Sequence, residues 1–154
     1  MELLLTQSAE YYLRLARESF RLNDPLGARM AYFLSIESWK RASKLSPLFL
    51  GHLNAVEEEY RWFDRFDPVY KNILRDLQEI VSRSPQIAQT ALIQQLAHYH
   101  QRDVEYSLYF ALKDGKILFQ RDGDEYLLHL PRNRETAVAT QVSAHKMFIR
   151  FSRN

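Results

Sequence analysis

The sequence predicts an α+β fold: a five-helix antiparallel bundle, then a three-stranded antiparallel β-meander and a basic C-terminal tail. Two observations support this prediction. Apolar residues recur every three to four positions up to about residue 102, as they do in amphipathic helices. From residue 104 they alternate with polar residues, and two Asp-Gly turns follow, which is typical of paired strands. We expect a single domain with a helical part at 1–102, a meander at 103–131 and a basic tail at 132–154 that forms either a helix or an extra strand.

Four dipeptides mark the expected helix starts. In each, an Asp or Ser side chain can accept hydrogen bonds from the first helical turn, and the following proline lacks the N–H that would otherwise stay unpaired. With an earlier helix from about Thr6 to Leu22, they predict five helices. The dipeptides are Asp24-Pro25, Ser46-Pro47, Asp67-Pro68 and Ser84-Pro85.

The second predicted helix, from Pro25 to about Leu45, is expected at the centre of the bundle because apolar and small residues surround its first half. Tyr32 and Trp39 supply large apolar areas for burial, and alanines such as Ala28 let neighbouring backbones approach. This helix therefore predicts architecture rather than chemistry.

The third predicted helix combines an apolar seam with the densest charged and aromatic stretch of the chain. Its glutamates at 57–59 allow two interpretations. The first is a set of carboxylates for acid–base chemistry or for a basic partner. The second is a solvated face in which Glu57 pairs with Arg61, while the interleaved aromatics, Trp62 and Phe66 among them, point inward. The seam, spaced 4-3-4-3 for packing along a neighbour, consists of Phe49, Leu53, Val56, Tyr60 and Phe63.

The predicted meander takes its register from the two Asp-Gly turns, which place Phe119 opposite Tyr126 and the large apolar residues on one face. Tyr109, Leu118 and Leu127 then project from the other face, where apolar surface is usually covered by a protein partner or a second copy. The expected strands are 104–113, 116–121 and 125–130. The face toward the helices carries Leu108, Phe110, Leu112, Ile117, Phe119, Tyr126 and Leu128.

The first two predicted helices carry Tyr12, Leu15, Ala16, Ala28 and Tyr32. This order of large and small residues resembles a single degenerate tetratricopeptide-repeat hairpin covering roughly residues 9–47. The resemblance implies the helix packing of that family and its habit of binding protein partners.

We therefore predict a non-enzymatic protein interaction module, such as an adaptor, a chaperone-like protein or a regulatory subunit, that docks a protein partner or forms a homodimer. The arginines of the first helix line an outer face that is either a solvated charge ladder or a site for a partner's carboxylates. The candidate partner-binding residues are Tyr109, Leu118, Leu127, Arg14, Arg17 and Arg21.

The alternative is a nucleic-acid-binding regulator. A helix at 86–102 followed by a hairpin at 104–121 is similar to the end of a winged-helix domain, in which the helix enters the major groove. Glutamine and arginine can contact base edges, and the tail from Arg132 has five basic residues against one acidic residue, which suits phosphate contacts. The candidate contacts are Gln94, Arg102, Arg132, Arg134, Lys146, Arg150 and Arg153.

Several kinds of chemistry have no signature in this sequence. The chain has no cysteine and four glycines, none of them in a phosphate-binding loop. No Glu-x-x-His or His-Glu-x-x-His motif is present, and we predict no catalytic residue, cofactor or metal. An enzyme with a dispersed site remains a third alternative. Because no stretch has the features of a signal peptide or a membrane span, we expect a cytoplasmic protein.

Overall fold

The computed structural model describes residues 1–132, and its elements confirm an α+β fold for that part of the chain, with six α-helices where five were predicted. The helices are α1 (Glu2–Arg21), α2 (Pro25–Leu45), α3 (Leu50–Phe66), α4 (Pro68–Arg83), α5 (Gln89–Gln95) and α6 (Gln101–Lys113). The strands are β1 (Ile87–Ala88), β2 (Leu118–Asp122) and β3 (Glu125–His129). The predicted basic tail begins at residue 132, and its residues from 133 onward lie outside the described part of the chain.

The chain divides into two compact units, Met1–Val69 and a second that begins at Tyr70. The single domain expected from the sequence stays a prediction. In the first unit α2 packs against both α1 and α3, and Trp39 on α2 is 3% exposed, which confirms its predicted burial. The predicted seam of α3 joins the same core, with Leu53, Val56 and Phe63 buried and Phe49 and Tyr60 partly buried.

Three of the four predicted helix starts are confirmed. Side-chain oxygens of Asp24 and Asp67 accept hydrogen bonds from the first turns of α2 and α4, at 3.1 Å and 2.9 Å, and Ser46 caps a 3₁₀ turn that leads directly into α3. The fourth, at Ser84-Pro85, is wrong. The chain turns there, with Gln86 at a φ of 68°, and continues into β1. Serine and proline also begin ordinary β-turns, so the dipeptide alone does not specify a helix.

The predicted first strand, 104–113, is wrong, because these residues belong to α6. The segment alternates apolar and polar residues, but it also has buried residues at helical spacing. From Ser107 to Leu112 every residue is buried, so the helix is covered on several sides. In such a helix, apolar residues at every second position do not distinguish it from a strand. The residues at helical spacing are Val104, Ser107, Leu108, Ala111 and Leu112.

Asp114-Gly115 ends α6 instead of forming a hairpin turn. Gly115 has a φ of 70°, and the backbone N–H groups of Gly115 and Lys116 donate to the carbonyls of Leu112 and Ala111 at 3.2 Å and 2.8 Å. These two hydrogen bonds form a Schellman motif, which closes a helix with a left-handed residue. A hairpin turn also favours glycine with positive φ, so the dipeptide is compatible with both structures.

The sheet has the order β1-β3-β2. Its third strand is therefore β1, and not the segment 104–113, which belongs to α6. The hairpin of β2 and β3 is confirmed, but its register differs, because Phe119 pairs with Leu128 and not with Tyr126. Gly123 has a φ of 61° and Asp124 has no positive φ, a combination typical of a type II′ turn. The turn therefore lies one residue later than predicted.

Replacing Gly123 by alanine is expected to lower the free energy of unfolding by about 1 kcal/mol, because a side chain at a φ of 61° is strained even though nothing lies within 4 Å of the added Cβ. Gly51→Ala is the matched control. Its added Cβ is equally unobstructed near the start of α3, and it should raise stability by about 0.4–1 kcal/mol. Urea denaturation measures both variants. Effects of the same sign would contradict the assigned turn.

Candidate functional site

An open groove of about 580 Å³ lies between α1 and α3 in the first unit. Its floor is Tyr32 of α2, which is 4% exposed. Spacings of three and four residues bring the lining side chains of each helix onto one face. The lining residues are Arg17, Phe20, Tyr32, Ala55, Glu58, Glu59 and Trp62.

Glu59 connects α3 to α1 across this groove and lines it together with Tyr32 of α2. Arg17 donates to Glu59 Oε1 from Nη2 at 2.9 Å and from Nε at 3.1 Å, and this hydrogen bonding raises the pKa of Arg17. Burial, followed by the interaction with Glu59, raises the pKa of Tyr32, so its hydroxyl stays protonated beside that carboxylate. Glu59 is therefore engaged by groups of the protein itself.

Two exposed aromatic rings, Phe20 and Trp62, also line the groove, and Phe66 extends their apolar surface beyond the lining. Phe20 and Trp62 meet edge to face with ring centroids 6.3 Å apart, and Trp62 contacts Phe66 at 5.2 Å. Phe20, Trp62 and Phe66 are 45%, 53% and 64% exposed. Trp62 and Phe66 thus contradict the interpretation in which the aromatics of this stretch point inward. Contiguous apolar surface of this kind is typical of interaction sites.

The three predicted arginines of α1 have different positions relative to the groove. Arg17 lines it, whereas Arg14 and Arg21 are exposed side chains outside its lining. Arg21 donates to Glu18 at 2.6 Å, and this hydrogen bond lowers the pKa of Glu18. A neighbouring ion pair of this kind fits the expected charge ladder along the outer face of the helix.

The predicted partner-binding residues of the meander are not an exposed face. Tyr109 and Leu118 are 3% and 5% exposed, which corrects the expectation that they project into solvent. Tyr109 is buried because it belongs to α6 and not to a strand with one free face. Leu127 is half-buried in β3, which pairs with strands on both sides. The homodimer expected to cover this face stays a prediction.

The geometry behind the winged-helix alternative is also corrected. Residues 86–102 do not form one helix, because they include β1, α5 and the start of α6, and 104–113 is helical rather than part of a hairpin. Gln94 and Arg102 are exposed on α5 and α6, and Arg132 is exposed at the last described position. Nucleic-acid binding stays a prediction. Its remaining candidates, Arg134, Lys146, Arg150 and Arg153, lie outside the described residues.

A second polar cluster in the first unit is buried. Arg29 is 2% exposed, and its Nη2 lies 2.9 Å from Asp67 and 2.8 Å from Asp64. Its Nη1 donates to the Tyr60 hydroxyl at 2.8 Å. Burial alone would lower the pKa of Arg29, but its attraction to Tyr60, Asp67 and Asp64 outweighs burial and raises that pKa. These contacts connect α2 to the end of α3, so the cluster stabilises the fold.

The sequence predicts Arg17 as a binding residue but does not predict the exposed aromatic rings at the groove, Phe20, Trp62 and the adjacent Phe66. A signal for some of these rings was present. Phe63 completes the apolar seam of α3, so Trp62 must lie on a different face, and Phe66 follows Trp62 by one helical turn. Phe20 had no such signal, because its exposure depends on where α3 lies along α1.

Comparisons of the chain with protein-family models, curated proteins and solved structures gave no match. The tetratricopeptide-like hairpin therefore stays a prediction. Within residues 1–132, no three His, Asp or Glu side chains come together as a metal site. In the same range no helix is both long and apolar enough to cross a membrane, and the cytoplasmic location stays a prediction.

Proposed function

We propose that the first unit binds a segment of another protein in the groove between α1 and α3, and that the protein is a non-enzymatic interaction module. The observation that supports this most strongly is the contiguous exposed cluster of Phe20, Trp62 and Phe66. Exposed apolar patches mark interaction sites, and tryptophan is among the residue types most enriched where binding energy is concentrated.

The shape of the groove favours a protein segment over a small molecule. Its volume of about 580 Å³ falls within the range of ligand sites, but the groove is open and would leave much of a small ligand in water. Its polar groups are also arranged for contact rather than for chemistry, since Arg17 and Glu59 hold each other at 2.9 Å. A protein segment can place one side chain in the groove and bury the exposed rims as well.

Peptide selection tests this proposal. Short random peptides displayed on phage are selected against the full chain, and the binders are then measured on Trp62→Ser and Phe20→Ser. We expect each substitution to weaken binding about tenfold or more, because loss of a central aromatic contact costs roughly 2 kcal/mol. Leu48→Ser is the matched control, since Leu48 is 85% exposed in the same unit and does not line the groove.

Tryptophan fluorescence gives an independent measurement of the same site. The chain has two tryptophans, and Trp62 is 53% exposed whereas Trp39 is 3% exposed, so acrylamide quenches mainly Trp62. A peptide that fills the groove should protect Trp62 from quenching. Selected peptides that bind Trp62→Ser as tightly as the unmodified chain, and leave quenching unchanged, would contradict the groove as the binding site.

A further inference from the structure

We propose that the side chain seated in the groove is basic, so that the partner segment is a basic peptide. This inference rests on the proposed function and specifies the ligand of the same site. It is supported by the charge that the groove leaves uncompensated, by the half-exposed ring of Trp62, and by a buried cation site that the first unit builds from the same kinds of residue.

The groove contains one carboxylate that forms no ion pair with any cation of residues 1–132. Glu59 accepts from Arg17 at 2.9 Å and 3.1 Å, so these two charges offset each other. Glu58 lines the groove as an exposed side chain and forms no hydrogen bond or ion pair within the described part of the chain. A basic ligand gains attraction to Glu58, whereas an acidic ligand must first displace Glu59 from Arg17.

Trp62 supplies the second half of a cation site. Its ring is 53% exposed and lines the groove together with Glu58. The face of an indole ring attracts an ammonium or guanidinium group, and a planar guanidinium can stack on the ring while it donates to a carboxylate. The apolar stem of a basic side chain can cover Phe20 at the same time.

The first unit already holds a cation with this combination of groups. The guanidinium of Arg29 lies 5.5 Å from the ring centre of Phe63 and 2.8 Å from the Asp64 carboxylate. Two consecutive residues of α3 thus provide an aromatic ring and an acidic group for an internal arginine. Trp62 and Glu58, four residues apart on one face of the same helix, provide the same two groups at the groove.

Synthetic peptide arrays test the charge of the occupant. Three arrays share the same randomised flanks and carry arginine, citrulline or glutamate at the central position. Citrulline is included because it keeps the shape of arginine without its charge. Binding to the full chain is measured by fluorescence anisotropy. We expect Trp62-dependent binders in the arginine array, weakened about tenfold or more when citrulline replaces the arginine.

Charge reversal at Glu58 tests the proposed contact residue. Glu58→Arg should weaken the arginine peptides by about tenfold or more and should favour the glutamate peptides instead. Glu57→Arg is the matched control, since it changes the charge of α3 equally at a position that does not line the groove. It should weaken the arginine peptides much less than Glu58→Arg does, because Glu57 does not line the groove and salt weakens the attraction between charges that are not in contact.

The possible outcomes separate the two proposals. Trp62-dependent binding of equal strength in all three arrays would overturn the basic ligand and leave the groove as a binding site. A preference for glutamate peptides that disappears in Arg17→Ala would also overturn the basic ligand, since the ligand would then be acidic. A preference for arginine peptides that Glu58→Arg leaves unchanged would overturn it as well. No Trp62-dependent binding in any array would overturn the proposed function itself.

Discussion

Replacing Trp39 by alanine is expected to lower the free energy of unfolding by about 3–5 kcal/mol, the usual range for truncation of a large buried aromatic side chain. Trp39 is 3% exposed on α2. Its ring stacks on His52 with centroids 4.7 Å apart and contacts Phe49 at 5.9 Å, so its removal leaves a cavity beside α3 and the preceding 3₁₀ turn. Urea denaturation followed by circular dichroism measures the loss.

Trp62→Ala is the matched control for this variant, because it removes the same side chain from a position that is 53% exposed. It should cost less than about 1 kcal/mol, as expected for a surface substitution. The same substitution thus has a large effect in α2 and a small effect in α3. A loss of less than about 1 kcal/mol for Trp39→Ala would place Trp39 at the surface and contradict the central position of α2 in the first unit.

The start of α2 shows why the helices of the first unit could be predicted. Asp24 caps the helix through the backbone N–H of Gly27 at 3.1 Å, and Pro25 fits the first turn without an N–H. The residue before them, Asn23, has a φ of 61° and closes α1. Each of these signals is local and all favour the same boundary, so a sequence pattern is sufficient to predict it.

The segment 104–113 could not be predicted in the same way. Its apolar residues fit a period of two and a helical period at once, and the choice depends on how many sides of the segment are covered. Tyr109 is 3% exposed, whereas a strand with one buried face would leave it in solvent. That burial comes from tertiary packing, which overrides local propensity and is absent from any short sequence window.

The groove could be predicted only in part, because long-range pairing decides which of its charges are compensated. A spacing of four residues favours a Glu57–Arg61 ion pair, but Arg61 Nε donates to the backbone carbonyl of Glu57 at 3.3 Å. The glutamate of this stretch that does pair with an arginine is Glu59, and its partner Arg17 lies 42 positions away in sequence. Only this pairing leaves Glu58 as the lining carboxylate without an ion pair among residues 1–132, and Glu58 is the residue that we propose to contact a basic ligand.

Asp67→Ala is expected to lower the free energy of unfolding by about 3–5 kcal/mol, because it leaves the buried charge of Arg29 without its buried partner. The two side chains are 3% and 1% exposed and lie 2.9 Å apart. The other carboxylate, Asp64, is 43% exposed and cannot replace a buried one. Asp67 also accepts from the Val69 N–H at 2.9 Å, a cap that accounts for about 1 kcal/mol of the loss. Urea denaturation again provides the measurement.

Two further variants separate the ion pair from the helix cap. Asp67→Asn keeps a capping side chain and removes the charge, so it should retain most of the cap's contribution of about 1 kcal/mol while leaving Arg29 without its buried partner. Adding Arg29→Met removes the remaining buried charge, and the double variant should therefore be more stable than Asp67→Asn alone. If the losses of stability caused by the two substitutions simply add, the buried pair is contradicted. Removing the second of two coupled charges should cost less stability than removing the first.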